Sequence, residues 1–200
     1  MSLIVPLSIF FSLASVVLGV ENQIISVPNG GQWGEWGPVE WCPCGYRVRG
    51  FSLKVEERQR VEDDTALNGI RLHCVNRTDP DMVESKTIYT IQSSEAPWGK
   101  WTEIMWCPEG YILSFSMQVE PHRKGIDDTA ANNFMFLCSD YSVLLGPGLS
   151  WGHYGRWSGL CLNGVCGIKT KVEQPQGTGD DTGLNDVQLA CCNPAKDKIG

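Results

Sequence analysis

Apolar and polar residues alternate along six segments of the chain, and these segments form three matched pairs. They are Phe51 to Val55, Phe115 to Val119 and Ile168 to Val172 in one set, and Ile70 to Cys74, Phe134 to Cys138 and Val187 to Cys191 in the other. A period of two is typical of strands with one buried face and one face in water. No segment shows the period of a helix, so the pattern predicts an all-β fold.

These segments belong to a block that recurs three times at identical internal spacing. Each copy reads Val-Glu, six residues, Asp-Asp-Thr, two residues, Asn, five residues and Cys. The polar positions are Glu56, Asp63, Asp64, Thr65 and Asn68 in the first copy; Glu120, Asp127, Asp128, Thr129 and Asn132 in the second; and Glu173, Asp180, Asp181, Thr182 and Asn185 in the third. Such a repeat indicates one copied unit whose apolar face is covered by its neighbours. We therefore predict three antiparallel sheets of three or four strands around a pseudo-threefold axis.

The ends of the chain have a different character from the repeats. Residues 1–19 are largely apolar and read as a secretory signal peptide, and no later stretch is apolar enough to cross a bilayer. We predict a single domain over residues 20–200, with repeats at about 20–80, 81–140 and 141–192 and a short polar tail. Asn76-Arg77-Thr78 is an N-glycosylation sequon in the link after the first repeat.

Nine cysteines in a secreted chain of this size predict a disulfide framework. Matching positions in the first two repeats favour the pairs Cys42 with Cys74 and Cys107 with Cys138. In the third repeat Cys161 and Cys166 are expected to pair with Cys191 and Cys192, in an order left open. Cys44 is left over, as a free thiol, an intermolecular bridge or a competitor for Cys74.

The repeated carboxylates have two readings. Adjacent aspartates invite a catalytic or calcium-binding interpretation, whereas Asp and Thr also accept backbone hydrogen bonds in turns. Because a triplicated turn is commoner than a triplicated active site, we interpret the Asp-Asp-Thr positions as structural turns. The Val-Glu glutamates, Glu56, Glu120 and Glu173, stay as weak candidates for acid and base catalysis. His73, His122 and His153 share no ligand spacing and are interpreted as surface residues, so no metal site and no cofactor are predicted.

Aromatic residues recur at equivalent positions in the three repeats. Trp33, Trp98 and Trp151 open W-G-x-[W/Y] elements, and five further tryptophans lie nearby in the sequence. Such residues either fill the interior of the fold or offer stacking platforms for sugar rings. Repetition favours core packing, and the three named tryptophans remain the candidate carbohydrate-binding residues.

Net charge limits the choice of partner. The formal charge of −7 and the absence of a basic block argue against nucleic acid, whose phosphates require clustered Lys and Arg. Basic or neutral partners in an extracellular mixture are compatible with this charge.

The ordered blocks W-G-x-W, C-P-x-G-Y, K-V-E and D-D-T-A-x-N resemble the vitelline membrane outer layer protein I family, from about Ile24 to Cys192. The resemblance implies a β-prism of three Greek-key sheets, secretion, and a place in an egg coat beside fibrous glycoprotein. It also implies a link to transfer among N-acetylchito-oligosaccharides. The sequence departs from the family pattern at Cys44 and at a widened turn, Arg47 to Gly50.

Three functions follow as hypotheses. The first is a non-enzymatic structural and interaction protein of an extracellular coat, whose partners are glycoproteins or oligosaccharides. The second is a lectin-like binder of glycans that contain N-acetylglucosamine. The third is a glycosyl-transferring enzyme, which would need two carboxyl groups about 5 to 10 Å apart in one cleft. The oligomeric state is left open.

Overall fold

The structure is a computed structural model that describes residues 22–57, 65–77, 88–120, 131–175 and 182–194. Several predictions lie outside these residues: the signal peptide, His122, Thr78 of the sequon, most of the tail, and the positions Asp63, Asp64, Asp127, Asp128, Thr129, Asp180 and Asp181. Thr65 and Thr182, which end two of the Asp-Asp-Thr blocks, are described.

Fourteen strands and no helix are present in the described part of the chain. The strands are β1 Ile24–Ile25, β2 Glu35–Trp36, β3 Glu40–Trp41, β4 Tyr46–Val55, β5 Leu67–Asn76, β6 Tyr89–Ile91, β7 Lys100–Trp101, β8 Met105–Trp106, β9 Ile112–Val119, β10 Ala131–Cys138, β11 Val143–Leu145, β12 His153–Tyr154, β13 Val165–Val172 and β14 Leu184–Cys191. The six long strands are the six alternating segments of the sequence. Their β-branched and aromatic residues suit a pleated surface.

The strands form three antiparallel sheets. Sheet A has the order β1-β14-β13-β2 with β3 also on β13, sheet B has β6-β5-β4-β7 with β8 also on β4, and sheet C has β11-β10-β9-β12. This confirms the all-β prism of three antiparallel sheets. Two of the sheets have five strands, more than the predicted three or four, because each takes two short strands from the tryptophan-bearing segment.

Each sheet combines parts of two successive sequence copies. The long hairpin comes from one copy, and the short strands beside it come from the opening of the next, as when β6, β7 and β8 flank β5 and β4. Sheet A closes the ring, because the first strands of the chain pair with the last hairpin: Ile25 is opposite Leu189 and Trp36 is opposite Lys171. The first and last strands of the described residues are therefore joined in one sheet.

The inward faces of the three sheets meet in one core. Four phenylalanines lie at its centre with aliphatic residues around them; the rings of Phe51 and Phe136 have centroids 4.5 Å apart, and those of Phe134 and Phe136 stack at 5.9 Å. All four, Phe51, Phe115, Phe134 and Phe136, have no exposed surface. The prediction that tryptophans fill the interior is wrong, since none of the eight belongs to the fully buried core.

The outward faces of the long strands are also covered, which corrects the expectation of one wet face. Ser52, Ser116 and Gln118 are buried although they alternate with core residues. The short strands and loops of the next sequence copy lie over them: Ser116 Oγ donates to Gly155 O, and Gln118 Nε2 donates to Gly152 O. Alternation was therefore a correct sign of strands, but the polar face meets protein and not water.

The Arg47–Gly50 segment is not a widened turn. It belongs to β4, where Arg47 is opposite Val75, and a bulge between Val48 and Gly50 absorbs the irregularity in register. A strand keeps its backbone hydrogen bonds beside a bulge, whereas a loop at this place would leave them unmade.

Candidate functional site

The repeated glutamates stand at one end of the prism, where β4, β9 and β13 finish. We call this the glutamate end. In sheet B, Thr65 Oγ1 donates to Glu56 Oε2 at 2.5 Å, and Asn68 Nδ2 donates to Thr65 Oγ1 at 2.5 Å. Glu56, Thr65 and Asn68 therefore meet in one hydrogen-bonded chain, although Glu56 is nine positions before Thr65 in sequence and Asn68 is three positions after it.

Sheet A repeats this chain. Glu173 Oε2 accepts hydrogen bonds from Thr182 N at 3.1 Å and Thr182 Oγ1 at 2.5 Å, and Asn185 Nδ2 donates to Thr182 Oγ1 at 2.6 Å. Glu173 and Asn185 are buried. These contacts join the end of one long strand to the start of its hairpin partner, as expected of a structural device that was copied with the fold.

The W-G elements pack on this end in a cyclic order. A Cβ atom on Gly152 would lie 2.0 Å from Val119 O, and one on Gly34 would lie 2.3 Å from Val172 C. Gly99 stands in the same relation to Val55. All three glycines have φ between 75° and 80°, so the repeated Trp-Gly pair exists to bring one copy's backbone against the preceding Val-Glu.

The three candidate glutamates lie on three different sheets, each at the end of its own long strand. The carboxylates of Glu56 and Glu173 are each held by a threonine of their own copy. A shared acid and base pair would instead need two carboxylates that face one cleft.

The candidate carbohydrate-binding tryptophans differ in exposure. Trp33 is 44% exposed, whereas Trp151 is half-buried and Trp98 packs partly against the core. Only Trp33 of the three presents much of its ring to solvent. Equivalent sequence positions therefore do not have equivalent surfaces.

Two other tryptophans cover glycines on outward sheet faces. Trp106 lies over Gly50 and Trp41 over Gly167, where a Cβ would be 2.5 Å and 2.8 Å from the indole rings. In sheet C the equivalent strand position is Ser114, whose Oγ lies 2.9 Å from Ser158 Oγ. A bulky indole requires a glycine beneath it. In sheet C both members of the pair differ, because a serine replaces the glycine and contacts another serine instead of an indole.

His73 is not a surface residue, contrary to the expectation from sequence. It is 4% exposed on the outward face of sheet B, beside the Trp106 ring at 5.8 Å. Its Nε2 lies 3.0 Å from Ser52 Oγ and its Nδ1 lies 3.0 Å from Thr90 Oγ1. Burial, with the nearby charge of Arg71 as the second cause, lowers the pKa of His73 to about 4.

The opposite end of the prism, where β4, β9 and β13 begin, is the disulfide end. Its four bridges are Cys42–Cys74, Cys107–Cys138, Cys161–Cys191 and Cys166–Cys192. The structure thus gives the pairing order in the third repeat that the sequence left open. Cys44 belongs to none of these bridges and is exposed.

Arg47 ties the first repeat to the third at this end. The side chain is only 2% exposed; its Nε donates to Asn163 O at 2.8 Å and its Nη1 to Tyr46 O at 2.9 Å. A Cβ on Gly164 would be 3.1 Å from Arg47 Cδ and 3.5 Å from Tyr111 Cβ. Elements of all three repeats therefore meet around Gly164.

A cavity of about 320 Å³ opens at the disulfide end beside sheet A. Trp41, Cys44 and the carboxamides of Asn22 and Asn193 line it, together with the Cys166–Cys192 bridge. The sequence patterns had drawn attention to the cysteines and to the tryptophans, but not to Asn22 or Asn193. The usable signal was a difference between copies, since Trp41 corresponds to Trp106 in the second copy and to Leu160 in the third.

Two further structural findings concern metals and membranes. In the part of the chain that the structure describes, no three or more His, Cys, Asp or Glu side chains are grouped so as to hold a metal ion. Over the same residues, no helix has the length and apolar character needed to span a bilayer.

Comparison with known proteins gives consistent matches. A family model described as vitelline membrane outer layer protein I matches residues 23–194. The chain is 47% identical to the mouse (Mus musculus) vitelline membrane outer layer protein 1 homolog, over 85% of this chain and 83% of the mouse protein. It is 50% identical to the human (Homo sapiens) homolog, over 86% of this chain and 83% of the human protein.

Among solved structures, lectins have a similar fold at low identity. A mannose-binding jacalin-related lectin from Ananas comosus has a TM-score of 0.51 and 10% identity, covering 84% of this chain and 96% of the lectin. Calystegia sepium agglutinin has a TM-score of 0.52 and 10% identity, covering 83% and 93%. These matches support the β-prism architecture.

Proposed function

The chain belongs to the vitelline membrane outer layer protein I family, and on that basis we propose that it is a secreted structural and interaction protein of an extracellular coat. The family match over residues 23–194 carries the proposal. Four disulfides and a sheet that joins the first and last described strands suit a protein that must persist outside the cell. Its proposed partners are coat glycoproteins or their oligosaccharides.

Localisation and capture test this function. Antibodies raised against the mature chain should label an extracellular layer in secreting tissue, and the protein should be recovered with glycoproteins from the native secretion. A fully reduced and alkylated protein is the control, since it lacks the fold. Retention of the chain inside cells, or recovery with no glycoprotein beyond the control, would contradict the proposal.

Carbohydrate binding is the second candidate function. The exposed Trp33 ring supports it, and so does the fold shared with a lectin whose name describes it as mannose-binding. A glycan array that includes oligomers of N-acetylglucosamine tests it. No signal above that of the reduced protein would remove this candidate.

Catalysis is left out of the proposal for a physical reason. Glu56 and Glu173 accept hydrogen bonds from Thr65 and Thr182, so each carboxylate has a structural partner. If the chain did transfer N-acetylchito-oligosaccharide units through these groups, amide replacement of Glu56, Glu120 and Glu173 in turn would abolish turnover. Turnover that survives all three replacements would exclude them as the acid and base.

A further inference from the structure

The cavity at the disulfide end combines features that belong to a small-molecule site. Its volume of about 320 Å³ lies at the lower end of the range for ligand pockets, about 300 to 1,000 Å³. That space accommodates one six-membered sugar ring with its hydroxyl groups. The wall includes cysteines of three disulfides, namely Cys42, Cys191 and the Cys166–Cys192 pair, which keep its shape independent of long flexible side chains.

The lining determines the charge of the ligand. Among the described residues that line the cavity, none has an acidic or basic side chain, and Asn22 and Asn193 are the two with carboxamide groups. A charged ligand would lose its hydration without gaining an opposite charge. The cavity therefore fits an uncharged ligand that both donates and accepts hydrogen bonds.

Two residues provide specific contacts. Trp41 is 43% exposed and offers an indole face, on which the C–H face of a pyranose ring can pack. Asn22 Oδ1 is buried and has no hydrogen-bond partner among the residues that the structure describes. A buried acceptor left in this state costs stability, and a ligand hydroxyl that donates to it would remove the cost.

The other sheets do not have the same combination at the equivalent position. In sheet B, Trp106 is half-buried and lies beside His73, with ring centroids 5.8 Å apart. In sheet C, the position is Leu160, which has no aromatic ring. A feature that differs among copies of one scaffold is free to serve a function that the scaffold itself does not need.

We propose that this cavity binds one uncharged pyranose residue of a glycan, with Trp41 stacking on the sugar ring and Asn22 accepting a hydroxyl hydrogen bond. This inference rests on the second candidate function, carbohydrate binding, and assigns it to a different end of the prism from Trp33, Trp98 and Trp151.

The test titrates the mature protein with the methyl glycosides of mannose, galactose and N-acetylglucosamine. Binding is followed by tryptophan fluorescence and by amide chemical shifts, and as a second readout by the rate at which iodoacetamide alkylates Cys44. Because Cys44 lines the same cavity, a bound sugar should slow its alkylation.

The variants are chosen to preserve the fold. Trp41→Leu introduces the residue that the third copy has at this position, and Asn22→Ala removes the acceptor near the start of the described chain. Trp157→Leu is the matched control, since it removes an indole of similar exposure that does not line the cavity. Thermal unfolding confirms that each variant is folded.

We expect at least one glycoside to bind, with an affinity about tenfold lower in Trp41→Leu and unchanged in Trp157→Leu. Asn22→Ala should lower the affinity for the same glycoside. Alkylation of Cys44 should be slowed only in those variants that still bind the glycoside. Equal binding by Trp41→Leu and the parent would overturn the assignment but leave carbohydrate binding standing. No binding of any glycoside by the parent would overturn the site, and a negative glycan array would then remove the candidate function as well.

Discussion

Polar residues buried at strand positions show most directly how single side chains depend on their surroundings. His73 occupies the strand position that is Leu137 in sheet C and Ala190 in sheet A, yet it is buried and hydrogen bonded through both ring nitrogens. The residues next to His73 in sequence do not indicate that it is buried. The residues that enclose it, Thr90 and Trp106, come from the next sequence copy.

His73 should make the fold sensitive to mild acid. Its folded pKa of about 4 lies below its ordinary value, so the unfolded chain binds the extra proton first as the pH falls. The contribution of neutral His73 to the free energy of unfolding is complete above about pH 6.5 and is lost towards pH 4. Over this range the free energy of unfolding falls by up to about 1.4 kcal/mol per pH unit. Urea unfolding of the parent and of His73→Gln between pH 4 and 7 measures the difference.

The matched control for that experiment is His153→Gln, since His153 is exposed on β12. This variant should keep the pH dependence of the parent. The explanation fails if His73→Gln retains the full acid loss of stability.

Asp186 is a partly buried polar residue whose effect on stability has the opposite dependence on pH. Burial raises its pKa, against a hydrogen bond from Val187 N and the charge of Lys171. The ionised carboxylate therefore costs stability at neutral pH. Sheet C has Asn133 at the equivalent position, where the amide donates to Gly146 O and accepts from Phe134 N.

Asp186→Asn should accordingly raise the free energy of unfolding at pH 7, because the amide carries no charge for burial to disfavour. The gain should disappear near pH 3, where the aspartic acid is protonated in both states. Asp140→Asn is the control of opposite sign, because hydrogen bonds from Ser142 lower the pKa of that carboxyl. Equal effects of the two substitutions at pH 7 would contradict this account.

At the scale of the element, the Trp-Gly turns decide how one repeat meets the next. Gly152 has φ 75°, and a Cβ there would lie 2.0 Å from Val119 O. Gly45 has φ 81° in the turn after Cys42, but a Cβ there would meet nothing within 4 Å. The two glycines share a backbone conformation, but only Gly45 has room for a Cβ atom.

Alanine substitutions at the two glycines should therefore have different effects on stability. Gly45→Ala should lower the free energy of unfolding by about 1 kcal/mol, the penalty of a left-handed conformation. Gly152→Ala should cost that amount and roughly 2 kcal/mol more, because the turn must move away from β9. Equilibrium unfolding in denaturant compares them, and similar costs would show that close approach at Gly152 is unimportant.

At the scale of the whole molecule, closure of the ring depends on very short strands. β1 has two residues on opposite faces: Ile25 is 3% exposed in the core, whereas Ile24 is 49% exposed. Ile25 lies opposite Leu189 of β14, so the first described strand packs beside the β13–β14 hairpin and covers its edge.

Ile25→Ala should therefore destabilise the protein by roughly 3 kcal/mol, and hydrogen exchange should increase first in β13 and β14. Ile24→Ala, one residue away on the outer face, should cost less than about 0.5 kcal/mol. If hydrogen exchange in sheet B increased as much as in sheet A, the stabilising effect of β1 would not be confined to the β13–β14 hairpin.

Much of this architecture was predictable from the sequence. Period-two alternation marked the six long strands, and threefold repetition predicted three sheets, because both patterns record which residues must leave water. The positions of Cys42, Cys74, Cys107 and Cys138 favoured the pairs that the structure contains. These are properties that each copy carries within itself.

Only the tertiary structure decided what lies against each outward face. Four features all arise where one copy meets another: the burial of Ser52 and His73, the place of Trp106 over Gly50, the hydrogen bond from Arg47 to Asn163 O and the cavity beside Trp41. A single strand's pattern shows that a face is polar, but it does not show whether water or protein covers it. That depends on contacts between residues far apart in sequence, which form only when the ring of sheets closes.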